Sequence, residues 1–228
     1  MNEHTIILVV TILIFLYSVI LHEIAHGYAA LRCGDNTAFM LGRLSLNPIR
    51  HIDPIMTIIL PAITYFAAGF FFGGAKPVPV NPRNFRSFVR DDIIVSLAGV
   101  AVNLMLAVFF AVILHAAFYL VRHNQLDPGS IIFEIAIWGM FLNFLLMLFN
   151  LLPIPPLDGS HVFKYLLPPG IRPHYEQIGF FGLIILVFFI QSDLYNTLVS
   201  RGFGTFLDIT FFPIEDRISI ILTLIRKG

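Results

Sequence analysis

One cysteine in 228 residues, Cys33, excludes an intrachain disulfide and any cysteine-rich metal cage. Its plain role is that of a small apolar filler near a helix end. Charge is scarce as well. Only 12% of the residues are Asp, Glu, Lys or Arg, they sum to zero, and no basic block occurs, so no nucleic acid partner is expected. The N-terminus lacks a positive n-region, and His22-Glu23 stands where a small-residue cleavage site would fall. The first apolar run is therefore expected to be a retained span and not a cleaved signal. There is no internal repeat and no low-complexity linker. What fills the chain is apolar: 57% of the residues are hydrophobic, a share that a water-soluble core of this size would leave exposed in large patches. The expectation is one integral-membrane domain over residues 1–228, with its core at 5–168 and C-terminal membrane segments at 175–228.

The apolar runs predict an all-α, multi-pass membrane protein with about five or six hydrophobic segments. Thr5 to Leu21 carries no charged residue. Ile55 to Gly74 is long enough to cross, but Pro54 opens it, Pro61 interrupts it and Gly73-Gly74 ends it. Ile93 to Val121 and Ile131 to Leu152 are good spans, and Ile178 to Ser192 is short and apolar. The tail, Phe203 to Ile225, is broken by Pro213 and by Glu215-Asp216-Arg217, leaving a last crossing and an interfacial helix both open. Polar content sits in the connections. The run from Lys76 to Pro82 holds three prolines and cannot be helix.

Within this setting His22-Glu23-Ile24-Ala25-His26 carries the chemistry. On a helix, two histidines four apart share a face and can offer two imidazole nitrogens to one Zn²⁺. Glu23 stands beside them as a base for a metal-activated water. Two histidines can fall four apart by chance, but ionisable groups inside an apolar helix are costly and functional by default. A catalytic zinc usually takes three protein ligands. The candidate for the third is Asp158, in the proline-broken run from Asn150 to Gly159 that follows the Ile131 span. Asp158 could instead cap the helix beginning there; a histidine pair lacking a third ligand favours the metal.

These motifs resemble the site-2 protease family, zinc metalloproteases that cut peptide bonds within the membrane. The resemblance rests on His22 to His26 and on Asn150 to Gly159 with its Leu157-Asp158-Gly159 ending. It extends to Gly42-Arg43-Leu44-Ser45-Leu46-Asn47-Pro48, His51-Ile52-Asp53-Pro54 and Ala75 to Pro82, which look like a compact bacterial or archaeal branch without PDZ or nucleotide-sensing domains. It implies one Zn²⁺ per chain on His22, His26 and Asp158, with Glu23 as catalytic acid and base. Asn150 matches a family asparagine that contacts substrate or the oxyanion. The implied substrate is a transmembrane protein or peptide, and the implied location the prokaryotic plasma membrane. One departure is Ala98-Gly99-Val100, where the family commonly has Ala-Gly-Pro, which puts a helix bend there in doubt.

Other polar residues carry less. His51 and Asp53 suit a hydrogen-bonded turn better than a pair supporting the metal ligands. His115 and His161 are expected to pack or to face the surface, Arg43 to meet headgroups or a carbonyl, and Phe70-Phe71-Phe72 to anchor in lipid. A helical substrate must unwind to expose its carbonyls, and Gly42 to Asn47 is a candidate to pair with it. The rival reading is a non-proteolytic metal-binding membrane protein or transporter. Against it, Ile93 to Val121 offers only His115 as an ionisable group along its length.

Because His26 and Asp158 must reach one ion, the first span and the Ile131 span should exit on one face. That requires 55–74 to go in and return, as a re-entrant hairpin broken near Pro61.

Overall fold

The computed structural model describes residues 3–59, 63, 66, 73–127, 130–179 and 181–227. Regular structure among them is helical throughout. In chain order the α-helices are α1 (Glu3–Cys33), α2 (Thr37–Met40), α3 (Phe88–Arg122), α4 (Ile131–Asn150), α5 (Asp158–Phe163), α6 (Arg172–Gln177), α7 (Phe181–Ile190), α8 (Asp193–Ile209) and α9 (Ile214–Lys227).

Three of these, α1, α3 and α4, are long and apolar enough to cross a membrane, and α7 with α8, bent by 72° at their junction, makes a fourth if the pair is one span. Of the expected five or six segments, three or four are found among the described residues, and the one expected at 55–74 lies for the most part outside them. Helix α7 has ten residues, about 15 Å at 1.5 Å per residue, half a hydrocarbon core. Ser192 stops it and starts α8, its hydroxyl accepting the N–H of Tyr195. The tail divides at Pro213, as its break predicts, into α8 and α9. The predicted hairpin around Pro61 lies for the most part outside the described residues; its flanks are described. Thr57 Oγ1 donates to Gly74 O at 2.8 Å, and Lys76 N–H donates to His51 O at 2.7 Å.

Helices α1, α3 and α4 run alternately up and down. Contacts along α1 and α3 pair His22 with Asn103 and His26 with Val95. Contacts along α3 and α4 pair Asn103 with Asn143, and Phe118 with Phe133. Small residues permit the close approach that packing in lipid depends on. Ala107 and Ala111 are buried on α3, and a side chain at Gly139 would meet the Phe110 ring at 2.6 Å. Around them a core of Leu114, Met140, Phe144, Leu207 and Phe212 joins α3 and α4 to the C-terminal segment. Helix α3 runs unbroken through Val100, where the proline is missing. Helix α1 continues past His26 to Cys33, which puts the histidines inside the helix and not at its end.

Candidate metal centre

Helical spacing brings His22 and His26 onto the face of α1 that meets α3, and both are buried. Their Nε2 atoms lie 3.0 Å apart. Asp158 Oδ2 is 3.1 Å from the first and 3.3 Å from the second. The three residues form a group whose ligand atoms all lie within 4.8 Å of one another.

The opposite ring nitrogens fix which atoms converge. Asn103 Nδ2 donates to Asn143 Oδ1 at 3.1 Å, so it is Asn103 Oδ1 that faces His22 Nδ1, at 2.6 Å. That nitrogen must carry the proton. Asn143 is held in turn, its Nδ2 donating to Gly139 O at 2.9 Å. His26 Nδ1 likewise donates to the Val95 carbonyl at 2.7 Å. In the neutral rings each Nε2 is left with a lone pair, and Asp158 Oδ2 is buried with no hydrogen-bond donor. Three electron-rich atoms thus face one another. Such a set is repulsive without a cation, and two imidazoles with a carboxylate suit Zn²⁺. Room is provided by Gly99: a Cβ there would stand 2.5 Å from His26 Nε2 and 2.6 Å from His22 Nε2. The residues present fit a metal ion.

Asp158 comes back to α1 through the turn after α4. It opens α5, and its Oδ2 faces the imidazoles instead of capping the helix. The turn is tight: a Cβ at Gly159 would fall 2.3 Å from Leu151 O, and one at Gly182, on α7, closer still to Pro155 O. Leu152, Leu157 and Leu186 pack beneath it.

Glu23 is half-buried one residue along, and its Oε2 accepts the Val78 N–H at 2.8 Å. Val78 belongs to the proline-rich strap from Ala75 to Asn81, which is non-helical as expected. Gly27 lets the strap lie against α1, since a Cβ there would meet Val78 Cγ1 at 2.9 Å. Arg43 Nη2 donates to Lys76 O and Pro77 O, the carbonyl partner expected for it. At the far end of the strap Asp35, fully buried, accepts from Asn81 N–H, Asn84 Nδ2, Thr37 N–H and Thr37 Oγ1. Burial opposes ionisation of Asp35, but these four donors outweigh it and hold the carboxyl below the usual carboxylate range.

Asn150 ends α4 and is not in the metal cluster. Its Nδ2 donates to Leu146 O at 3.0 Å. Continuing the α3–α4 register from the Asn103–Asn143 pair brings this end of α4 to the level of Ser96, about one turn from Gly99. His51 donates to Ser45 O at 2.7 Å, and Asp53 accepts Ile55 N–H, the turn geometry anticipated. His115 packs, stacked on Phe212 and donating to Thr210 O. His161 lies at the surface, 3.7 Å from Asp92. Phe70, Phe71 and Phe72 lie outside the described residues.

Sequence reasoning missed Asn103, Asn143, Gly99 and the Val78 N–H. The first two left a signal: an asparagine in each of two adjacent apolar spans is costly unless the pair is bonded. Gly99 is visible only once α1 and α3 are in contact, and the Val78 N–H only once the strap lies against α1.

Comparison with known proteins finds relatives named as zinc metalloproteases. A sequence profile of the family described as Peptidase family M50 matches residues 118–190, a stretch that holds Asp158 but not the histidines. The protein named "Putative zinc metalloprotease YwhC" of Bacillus subtilis (strain 168) is 42% identical over 186 residues, 80% of this chain and 80% of the relative. "Putative zinc metalloprotease Rip2" of Mycolicibacterium smegmatis is 32% identical over 184 residues, 80% of this chain and 66% of the relative. "Putative zinc metalloprotease MJ0611" of Methanocaldococcus jannaschii is 30% identical over 165 residues, 68% of this chain and 73% of the relative. No solved structure matches. With four-fifths of a relative covered at 42% identity, and a histidine pair and an aspartate converging between its apolar helices, this chain belongs to peptidase family M50.

Proposed function

We propose that this chain is a zinc-dependent endopeptidase of the membrane, hydrolysing peptide bonds within or near the transmembrane helices of other proteins. The observation that carries the reading is the convergence of His22 Nε2, His26 Nε2 and Asp158 Oδ2 between apolar helices, with Glu23 beside them. His22, His26 and Asp158 would hold one Zn²⁺. An ion there supplies Lewis acidity, which acidifies water and polarises a peptide carbonyl.

The chain's own groups do the rest. Asn103 and the Val95 carbonyl keep both imidazoles in the tautomer that offers Nε2. Glu23 accepts a proton from the attacking water and returns it to the leaving amine. The Val78 N–H steadies one of its oxygens and leaves the other for the proton. Asn150 spends one of its two amide N–H groups on Leu146 O, and the second is free for the developing oxyanion. Gly42 to Asn47, a non-helical stretch near the strap, is the candidate to pair with an unwound substrate backbone.

The topology follows from the same contacts. Because Thr57 bonds to Gly74 and Lys76 to His51, we infer that 55–74 returns to the face it left. Arg32, Arg43, Arg50, Lys76, Arg83, Arg86 and Arg90 then share one side, the cytoplasmic face of a prokaryotic plasma membrane. Membership of a peptidase family, with Glu23 set beside the metal ligands, weighs against the transporter reading. The deciding experiment is cleavage of a reporter transmembrane peptide by the purified protein, with and without a zinc chelator.

A further inference from the structure

The aspartate ligand is the least securely mounted of the three. His22 and His26 stand on a 31-residue helix, but Asp158 opens a six-residue helix whose buried members are only Gly159 and Ser160. The leucines packed beneath the turn lie outside this helix, and the helix itself buries no large apolar side chain that would set its rotation. Six residues on, Lys164 begins a 3₁₀ turn, and its buried Nζ lies 2.9 Å from Asp92 Oδ2. Asp92 is itself buried, in the first turn and a half of α3. The adjacent Tyr165 hydroxyl donates to the same oxygen at 2.7 Å. Lys164 also reaches Glu176 at 3.1 Å. Burial alone would lower the Lys164 pKa, yet the Asp92 carboxylate outweighs it and raises it; burial and then Asp92 push the Tyr165 phenol up to about 12. Both remain donors across the working range of pH.

A buried ion pair is a poor stabiliser, because desolvation offsets most of its attraction, but its geometry is demanding. Two donors on successive residues, meeting one carboxylate on another helix, fix both the position and the rotation of the segment that carries them. We propose that Asp92, with Lys164 and Tyr165, is the positioning device for the third metal ligand: it docks the Asp158 segment on α3 so that Oδ2 meets the two imidazoles. Asp92 touches neither metal nor substrate and acts through Asp158. The proposal rests on the zinc reading above.

The test uses the full chain in detergent, loaded with zinc for competition against a chelator and with cobalt for its visible spectrum. Asp92→Ala and Lys164→Met should each weaken zinc by about tenfold, at the lower end of losses seen for residues that support metal ligands. Their cobalt bands should move towards those of Asp158→Ala, and Lys164→Arg should restore both readouts. A comparable pair at the other end of α3, Arg122 with Asp216 at 2.7 Å, supplies the control. Asp216→Asn should lower the melting temperature while leaving zinc affinity and the cobalt spectrum unchanged. Native affinity and spectrum in both Asp92→Ala and Lys164→Met would overturn the proposal, as would an equal loss in Asp216→Asn. Where Asp92→Ala does not fold, Lys164→Met and Tyr165→Phe decide on the same readouts. Native zinc affinity in Asp158→Ala would instead remove the zinc reading itself.

Discussion

His22 Nδ1 and Asn103 Oδ1 lie 2.6 Å apart, and because the Asn103 amide nitrogen is committed to Asn143, the contact admits only one tautomer of His22. In the neutral imidazole the ring nitrogen facing Asp158 then carries the lone pair. Asn103→Leu should weaken zinc binding by about 10–100-fold, the usual loss when a metal-bound histidine loses its outer partner. Asn143→Leu should have a smaller effect in the same direction. Chelator competition measures both. An Asn103→Leu variant that melts earlier but holds zinc normally would reduce the pair to helix packing.

Gly99→Ala should damage the site more than any loss of a hydrogen bond. Its Cβ would stand where the two Nε2 atoms converge, at 2.5 and 2.6 Å, and neither imidazole can retreat while bonded to Asn103 and Val95. Zinc affinity should fall by more than about 100-fold, beyond the range for an outer partner. Metal content after dialysis checks this, and stoichiometric zinc in Gly99→Ala would contradict the geometry.

Much of this was legible in the chain. The His22 to His26 spacing dictated a shared helix face, and the proline-broken run before Gly159 dictated a turn that could bring Asp158 back. The strap was readable from Pro77, Pro79 and Pro82. What could not be read was which helix would cover the histidines. Asn103 and Gly99 acquire their roles only from the antiparallel register of α1 against α3, and Asp92 only from the docking of the segment after α5 on α3, neither of which a local pattern specifies. The number of spans could not be fixed from composition for a related reason. The apolar content of Ile178 to Ser192 says nothing of where α7 stops, and it is Ser192 capping α8 that divides the segment.

Asp35 ties the strap to α1, and its contribution should depend on pH in a defined direction. The folded carboxyl is held below its unfolded value of about 3.9, so its stabilisation is complete above that pH and disappears as pH falls through the lowered folded value. Asp35→Asn should cost about 1–3 kcal/mol, since buried donors lose their acceptor. Melting temperatures of the two proteins should differ by a constant amount from neutral pH down to about 5 and converge as pH falls through the lowered folded value. A gap already closed at pH 5 would be inconsistent with the four donors around Asp35.

The return of 55–74 can be checked by accessibility. In a Cys33→Ser background, single cysteines at Leu46, Arg83 and Gln125 should be probed with an impermeant thiol reagent on sealed cells and on opened ones. Leu46→Cys and Arg83→Cys should respond alike, from the cytoplasmic side, and Gln125→Cys oppositely. Labelling of positions 46 and 83 from opposite faces would show that the segment crosses.

The central claim is that Glu23 drives hydrolysis at a zinc held by its neighbours. Glu23→Gln is nearly isosteric, preserves an acceptor for the Val78 N–H and cannot take the proton. Zinc content and cleavage of a reporter transmembrane peptide should be measured on the same preparations of native and Glu23→Gln protein. The account predicts equal zinc in the two and a rate lower by about 10²–10⁴-fold in the variant, the usual worth of general-base assistance. Cleavage by Glu23→Gln at the native rate, with zinc bound, would contradict it.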